Sequence, residues 1–347
     1  DIALIEGEGG RKANLYATIG PAGRPGALLS GHTDVVPVEG QEWRTPPFEA
    51  TVADGKVFGR GAADMKGFVA CALAAALRAA DRPLRTPLHL ALSYDEEIGC
   101  VGVRSMIEML AAAPTRPLFC IVGEPTLMGV ATGHKGKLAA EARCVGREGH
   151  SALAPAALNA IHLAVDLVGV IRRLQTEIAA ASPGDPDYDA PHTTLHVGRI
   201  EGGVALNIVP NHARLAFEIR NLATDDPEAL LSRIAAEAEG ILQPLRPRFP
   251  EGAVEIAVVN RYPSLDTPKG AEVVRFVQAL TGADTTMKVA FGTEGGLFSR
   301  DLGVPTVVCG PGSMAQGHKA DEFVALSELD RCDAMLAALT DRLVEGL

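Results

Sequence analysis

Four short apolar runs in this chain each lead into a histidine or a carboxylate. The run GALLS is followed by His32, LHLALS by the acidic triplet 95–97, FCIVG by Glu124, and PTVVC by the glycine-rich loop that carries His318. In open α/β sheets, functional side chains gather beyond the carboxyl ends of the strands. These side chains are therefore expected to meet at one edge of a single sheet.

The first third of the chain alternates β-type runs with helical patterns, which is typical of an α/β fold with a mostly parallel sheet flanked by helices. We predict strands at 13–19, 26–30, 88–93 and 119–122, and helices at 65–80 and 101–112. The end of the chain is predicted to return to this sheet with a helix at 271–280 and a strand at 306–309.

The middle of the chain has a different pattern, with strands and helices in the order βαββαβ. The predicted strands are 138–145, 193–200, 213–220 and 254–259, and the predicted helices are 158–179 and 227–242. This order is a complete ferredoxin-like unit with its own core. We therefore predict a domain at 136–262, inserted into a discontinuous domain formed by 1–135 and 263–347. The Pro- and Asp-rich segment 182–191 is predicted to be a loop.

Composition narrows the class of protein. With 347 residues, of which 47% are apolar, the chain is long enough for two packed domains. A formal charge of -11 and the lack of any Lys/Arg-rich run argue against a nucleic-acid partner. No apolar stretch approaches the roughly 20 residues that a membrane crossing needs, so no membrane partner is expected. Six cysteines spread singly along the chain predict reduced core thiols and a soluble, cytoplasmic protein.

Each residue at the predicted sheet edge also has a plain structural explanation. Asp34 can accept the second imidazole proton of His32, or it can satisfy backbone amides in a turn. Asp64 of GRGAADMKG can bind metal or cap the helix that follows. The adjacent carboxylates 95–97 can share a divalent cation or form a solvated acidic loop, and His318 alone is no more than a loop histidine. The convergence of four strand ends favours a metal site over these separate explanations.

Seven blocks of the sequence occur in the order HTDVVP, GRGAADMKG, SYDEEIGC, VGEPT, GREGHSA, FGTEGG and GPGSMAQGHKADEFV. They resemble the signature blocks of the co-catalytic zinc aminoacylase/carboxypeptidase family, the M20-like metallopeptidases. The resemblance spans nearly the whole chain except the N-terminal helix of that family, and because the chain starts at Asp1 we expect an N-terminal piece to be absent. It implies a zinc-peptidase-like catalytic domain that carries an inserted lid and dimerisation domain.

The resemblance implies two divalent metal ions per subunit, zinc with cobalt or manganese as alternatives. Their ligands would be His32, Asp64, Glu97, Glu124 and His318. Asp64 would bridge the two ions. His32 and Glu124 would complete the first ion, and Glu97 and His318 the second. Paired ions of this kind polarise a scissile carbonyl and lower the pKa of a water molecule between them.

The same resemblance implies roles for two further carboxylates. Glu96 would be the general base that takes a proton from the water and returns it to the leaving amine. Asp34 would orient the ring of His32. The sequence departs from the family at Ala63, where many deacetylases have Cys, and at Ala320, where Pro is usual. Neither departure removes a ligand.

The inserted domain would contribute residues that are not ligands. By the resemblance, His150 of GREGHSA would reach across a homodimer and stabilise the oxyanion in the neighbouring subunit's site. Asn207 and Arg220 would help to hold the substrate. From the residues alone, His150 is better explained as an exposed loop residue and Arg220 as a surface charge at a strand end.

The resemblance also implies a substrate class, a small N-acyl amino acid. Gly295 and Gly296 of FGTEGG would bring backbone close to the substrate carboxylate, and Lys135 is an extra cation near the predicted domain boundary. The blocks are most similar to those of the deacetylases, so the expected reaction is removal of the acetyl group from N-acetyl-L-ornithine. Another deacylase, a desuccinylase, a carboxypeptidase or an aminopeptidase of the family is an alternative, as is a catalytically silent amino-acid-binding member. Glu96 argues against silence, because a binding module needs no free base.

Overall fold

The computed structural model describes residues 1–7, 9–181 and 184–347. Its strands are β1 (Ile2–Glu6), β2 (Ala13–Ile19), β3 (Ala27–His32), β4 (Thr51–Ala53), β5 (Lys56–Phe58), β6 (Leu88–Ser93), β7 (Phe119–Val122), β8 (Val130–His134), β9 (Lys137–Val145), β10 (Gly149–His150), β11 (Thr194–Gly202), β12 (Ile208–Val209), β13 (His212–Arg220), β14 (Ala253–Tyr262), β15 (Leu265–Asp266), β16 (Thr286–Val289), β17 (Thr306–Val308) and β18 (Phe323–Ala325). Its α-helices are α1 (Gly67–Ala80), α2 (Val103–Ala112), α3 (Ala160–Ala181), α4 (Pro227–Leu242), α5 (Glu272–Thr281), α6 (Gly295–Leu302) and α7 (Leu326–Glu345). Short helical turns occupy Ala62–Lys66 and Ser151–Ala156.

The described residues form two units. The first contains Asp1–His134 and Leu265–Leu347, and the second contains Lys135–Ser264. The domain boundaries expected from the sequence, after residues 135 and 262, differ from the observed ones by no more than two residues.

The first unit is built on a mixed sheet in the order β1-β2-β6-β3-β7-β17-β8-β15, with β16 paired to β8. The central strands β6, β3, β7 and β17 run parallel. The pairs β1–β2, β2–β6, β17–β8 and β15–β8 are antiparallel. The pair β16–β8 is parallel. The expectation of a mostly parallel sheet is therefore correct for the centre and for this pair, but not for the other pairs. The edge pair β1–β2 is antiparallel because the connection between these strands is too short for the crossover that a parallel pair requires.

The centre of this sheet is buried, which fixes the positions of its strand ends. Every residue of β3, β6 and β7 is buried, as expected for parallel strands covered by helices. Helices α1 and α7 belong to the same core through apolar residues at helical spacing, Ala72 and Ala75 on one and Leu336 and Leu339 on the other. The residues that follow β3, β6 and β7 therefore start from a rigid base.

The second unit is the predicted βαββαβ arrangement. Its four long strands form an antiparallel sheet in the order β11-β13-β9-β14, and α3 and α4 share a core with it. Helix α4 begins with a side-chain cap, because Asp226 accepts a hydrogen bond from the N–H of Glu228 and Pro227 occupies the first turn. In the predicted loop 182–191, the first two residues lie outside the described residues, and 184–191 contain no helix or strand, with turns and bends at 186–190.

All six cysteines are buried free thiols, in agreement with the expectation from their isolated positions. Across the described ranges, no helix is both long and apolar enough to cross a membrane.

Candidate metal centre

His32 is the last residue of β3, and its side chain is only 1% exposed. Its Nε2 lies 3.1 Å from Oδ1 of Asp64 and 3.7 Å from Oε1 of Glu124. The fold therefore brings together three residues that are far apart in the sequence. They form a group whose donor atoms all lie within 4.8 Å of one another.

Asp34 connects His32 to the acidic loop after β6. The Nδ1 atom of His32 lies 3.1 Å from the backbone oxygen of Asp34 and 3.5 Å from its Oδ1. The two carboxylate oxygens of Asp34 accept hydrogen bonds from the backbone N–H groups of Glu96 and Glu97, each at 3.1 Å. Asp34 thus lies beside the imidazole, as predicted, and also satisfies backbone amides, although these belong to the neighbouring strand end and not to its own turn.

Asp64 lies in the turn Ala62–Lys66, where its backbone is not helical, and its peptide bond to Met65 is cis. No side chain caps α1, which excludes the helix-cap explanation of Asp64. Its Oδ1 faces Nε2 of His32 at 3.1 Å, and its Oδ2 faces Nε2 of His318 at 3.0 Å. Each carboxylate oxygen therefore serves a different imidazole, which is the arrangement of a bridging ligand.

His318 and Glu97 complete a second group with Asp64. Nε2 of His318 lies 3.1 Å from Oε2 of Glu97. The two groups share Asp64 and consist of imidazole nitrogens and carboxylate oxygens. These are donors that suit zinc and other divalent transition metals, so the residues present fit a pair of such ions.

The electrostatics of the two groups favour positive charge. Burial alone would lower the pKa of His32, but hydrogen bonds to Asp34 and Asp64 raise it well above its usual value. Hydrogen bonds to Asp64 and Glu97 raise the pKa of His318 to about 10. Burial and the neighbouring charge of Asp64 raise the pKa of Glu124 well above its usual range. A cation bound between Asp64 and Glu124 would relieve the repulsion between these two carboxylates.

Glu96 belongs to neither group of candidate ligands. Burial of its carboxyl group, with the nearby charge of Glu294 adding to the effect, raises the pKa of Glu96 to about 8. The thiol of Cys100 donates a hydrogen bond to Oε1 of Glu96 at 3.2 Å. Within the acidic triplet, Glu97 is thus directed at His318, whereas Glu96 is held apart from the candidate ligands.

Glu294 is a buried carboxylate that the sequence analysis missed. It immediately precedes α6, is 1% exposed, and accepts a hydrogen bond from the hydroxyl of Ser30 at 3.1 Å. Burial raises the pKa of Glu294. In the block FGTEGG, only the glycines were predicted to have a role. The available signal for Glu294 was its position directly before a helix that follows a strand.

Gly295 and Gly296 are buried at the start of α6, and their amides already have protein partners. The N–H of Gly295 donates to Oγ1 of Thr293 at 2.9 Å, and the N–H of Gly296 donates to Nε2 of His134 at 3.1 Å. A substrate carboxylate would have to compete with these bonds. Contact of the two glycines with substrate stays a prediction.

In the second unit, His150 and Asn207 are exposed and lie close together, because β10 pairs with β12 and the N–H of Ser151 donates to the carbonyl of Asn207. Nδ1 of His150 accepts a hydrogen bond from the N–H of Ala152 at 3.1 Å. In the neutral ring, the proton must therefore be on Nε2, which makes that atom a hydrogen-bond donor.

Arg220 and Lys135 are both engaged within the second unit. The guanidinium of Arg220 donates to Tyr262 at 2.7 Å and to Glu218 at 3.0 Å, so it is held in a fixed orientation. Lys135 is 2% exposed and donates to the carbonyl of His192 at 2.5 Å. Substrate binding by either residue stays a prediction.

Comparison with known proteins agrees with the class that the site indicates, a hydrolase acting on amide bonds with candidate ligands for metal ions. A sequence profile described as Peptidase family M20/M25/M40 matches residues 28–342. The chain belongs to this family.

Several relatives have the name acetylornithine deacetylase, and two of them illustrate the similarity. The protein from Myxococcus xanthus is 36% identical over 336 residues, covering 96% of this chain and 85% of that protein. The protein from Pasteurella multocida is 33% identical over 345 residues, covering 99% and 87%. Among solved structures, an M20 family metallo-carboxypeptidase from Sulfolobus solfataricus has a TM-score of 0.79 at 19% identity, covering 99% of this chain and 90% of that one. An aminopeptidase from Bacillus cereus has a TM-score of 0.76 at 20% identity, covering 99% and 89%. These structures share the fold.

Proposed function

We propose that this protein is a zinc-dependent deacetylase that hydrolyses N-acetyl-L-ornithine to L-ornithine and acetate, in the cytoplasm and as a step of arginine synthesis. The observation that carries the proposal is Asp64, whose two oxygens each face a different histidine at 3.1 Å and 3.0 Å. The choice of reaction rests on relatives named acetylornithine deacetylase at 33–36% identity. A desuccinylase or carboxypeptidase of the same family is the second candidate.

In this proposal, the group of His32, Asp64 and Glu124 holds one ion, and the group of Asp64, Glu97 and His318 holds the other. Cobalt or manganese suits the same donors. When bound, the ions supply Lewis acidity toward the scissile carbonyl and lower the pKa of water. Glu96, which is not a ligand, takes the proton from the attacking water and delivers it to the leaving amine. Asp34 fixes the ring of His32 and the backbone of the loop that carries Glu96.

The proposal includes a homodimer formed through residues 135–264. Exposed apolar side chains cluster near His150 in this unit, with Leu153 at 66%, Val204 at 87% and Leu206 at 102% exposure. Patches of this kind commonly mark protein interfaces. Across such an interface, Nε2 of His150 would donate a hydrogen bond to the oxyanion in the partner subunit's site.

Mixing two inactive variants tests the action of His150 across the interface. Loss of one oxyanion donor in His150→Ala should cost about 3 to 4 kcal/mol in the transition state and leave metal content unchanged. Glu96→Ala should be inactive for a different reason. When the two variants are unfolded and refolded together, mixed dimers have one site with both groups intact, so part of the activity should return. Demonstrated mixed dimers without recovered activity would contradict the assignment of His150.

The contacts of Lys135 bear on the choice of substrate. An acetyl group needs only a small apolar pocket, whereas a succinyl group brings a second carboxylate that requires a cation. Lys135 donates to the carbonyl of His192 and lies 5.7 Å from the ring centre of Tyr188, so it would have to give up these contacts to bind succinate. Arg220 is the guanidinium that we propose for the α-carboxylate of the substrate.

We therefore expect kcat/KM for N-acetyl-ornithine to exceed that for N-succinyl-diaminopimelate by at least about tenfold, near 1.4 kcal/mol. Both substrates should be assayed side by side with zinc- and cobalt-loaded protein, within a screen of N-acetyl and N-succinyl amino acids. An N-acetyl-ornithine whose carboxylate is amidated serves as the control, and it should react poorly because a neutral amide cannot form the ion pair that we propose with Arg220. Equal or reversed preference would overturn the substrate and leave the hydrolase class intact. Two bound ions without turnover of any substrate would favour the silent, amino-acid-binding alternative.

A further inference from the structure

The fold holds the two candidate metal-binding histidines in very different ways. His32 is 1% exposed and lies in a central strand. The side chain of His318 is 50% exposed, and its residue lies in a loop with φ of 61°. This left-handed region is unfavourable for residues other than glycine. The loop alone therefore does not fix His318, and other contacts must do so.

Gln41 supplies one of these contacts. Its side-chain amide donates to the backbone carbonyl of His318 at 2.9 Å. Its Oε1 accepts hydrogen bonds from Arg60 at 2.6 Å and from the indole of Trp43 at 3.2 Å. Because both ends of the amide are engaged, Gln41 has a defined orientation and connects the His318 backbone to Arg60.

Arg60 and Glu322 form a buried ion pair, with 2.6 Å between Nη1 and Oε2 and 1% exposure of each side chain. Arg60 also donates to the carbonyl of Lys319, next to His318, at 3.3 Å. Its guanidinium lies 5.1 Å from the ring centre of Trp43. A buried ion pair is expensive to desolvate and is weak support for stability as such, so a positioning role is the better explanation of these contacts.

The second oxygen of Glu322 reaches the bridging aspartate. Oε1 accepts hydrogen bonds from the backbone N–H groups of Ala63 at 2.9 Å and Asp64 at 3.1 Å. One continuous chain of hydrogen bonds thus runs from the carbonyl of His318 through Gln41, Arg60 and Glu322 to the amide of Asp64. It joins the backbones of two of the three residues in the second ligand group.

We propose that Gln41, Arg60 and Glu322 act as a positioning clamp that sets the affinity for the ion held by Asp64, Glu97 and His318. The proposal rests on the two-metal function proposed above. Gln41 binds the carbonyl of His318, Arg60 the carbonyl of Lys319, and Glu322 the amide of Asp64. All of these are backbone atoms, so the clamp acts on the geometry of the ligands alone. Loss of residues that orient metal ligands commonly weakens binding by 10- to 100-fold, because ligands must be held within roughly 0.5 Å of the productive geometry.

Gln41→Ala is the primary test, because this side chain can be removed without leaving a buried charge. In zinc competition against a chelator, followed by elemental analysis, one of the two ions should dissociate about 10 to 100 times more readily. The other should change by less than about twofold. The melting temperature of the chelator-treated protein should match that of the wild type. Gln243→Ala, at an exposed position after α4, is the matched control and should retain both ions.

Two further variants identify which contact and which ion are involved. Gln41→Glu keeps the oxygen that accepts from Arg60 but removes the N–H that donates to the carbonyl of His318. This variant should therefore lose the same ion. Arg60→Lys keeps the charge without the planar fork and should do likewise. Added to His318→Ala, Gln41→Ala should have no further effect. Added to Glu124→Ala, it should have its full effect, since the remaining ion is the one that the clamp supports.

The possible results separate the clamp from the function on which it depends. A wild-type protein that binds two ions, with Gln41→Ala binding both equally well, overturns the clamp alone. If Gln41→Ala weakens binding of both ions equally and also lowers the melting temperature, the clamp is overturned too, since that result shows a purely structural role of Gln41. A wild-type protein that binds no ions overturns the proposed function and the clamp together.

Discussion

Asp64→Ala is expected to release both metal ions and to abolish hydrolysis. Asp64 is the one residue shared by the two ligand groups, and its oxygens lie 3.1 Å and 3.0 Å from the two imidazoles. Without it, each ion would keep only two protein ligands, fewer than the three or four that zinc sites in proteins use. Elemental analysis after gel filtration should therefore show a fall from about two ions per chain to nearly none.

The variant should remain folded, which makes its metal content interpretable. Glu322 binds the backbone amides of Ala63 and Asp64, and these bonds survive loss of the side chain. Asp333→Ala is a matched control on α7, because it removes a half-exposed aspartate that forms a surface ion pair with Arg78 at 3.3 Å. It should retain both ions. Two tightly bound ions in a folded Asp64→Ala protein would contradict the ligand assignment.

The sequence predicted the parts of the site that depend on local pattern. Apolar runs of strand length identify β3, β6 and β7, and the rule that functional groups follow parallel strands places His32, Glu97 and Glu124 at one edge. The structure brings these side chains into two ligand groups together with Asp64 and His318. The βαββαβ unit was predictable for the same reason, since apolar residues recur with a clear strand or helix periodicity in each of its elements.

The partners that hold the ligands were not predictable, because they come from distant parts of the chain. Glu322 bonds to the amide of Asp64 across 258 positions, and Ser30 bonds to Glu294 across 264. No local period links such residues. The antiparallel sheet edges were missed for a related reason, since strand direction depends on connections and neighbours more than on strand composition. Residues that position a site are thus harder to find from sequence than those that form it.

Glu96→Gln is expected to keep both ions and to lose most of the activity. Glu96 belongs to neither ligand group, whereas Glu97 beside it lies 3.1 Å from His318. Gln has nearly the same size and shape but cannot accept a proton. The rate of hydrolysis should fall by roughly 10² to 10⁴, about 2.7 to 5.4 kcal/mol in the transition state, with metal content near two ions per chain. Burial already disfavours the charged form of Glu96, so a neutral replacement should not harm folding.

Glu97→Gln is the matched control for Glu96→Gln, because it makes the same chemical change one residue away. Glu97→Gln should weaken retention of the ion bound by Asp64 and His318, and its activity should recover in part when excess zinc is supplied. Glu96→Gln should gain nothing from excess zinc, because its defect lies in proton transfer and not in occupancy. Measuring the activity of both variants at increasing zinc concentrations therefore distinguishes a base from a ligand. Full activity of Glu96→Gln with both ions bound would assign the proton transfer to another group, and the raised pKa of Glu294 makes that buried carboxyl the next residue to replace.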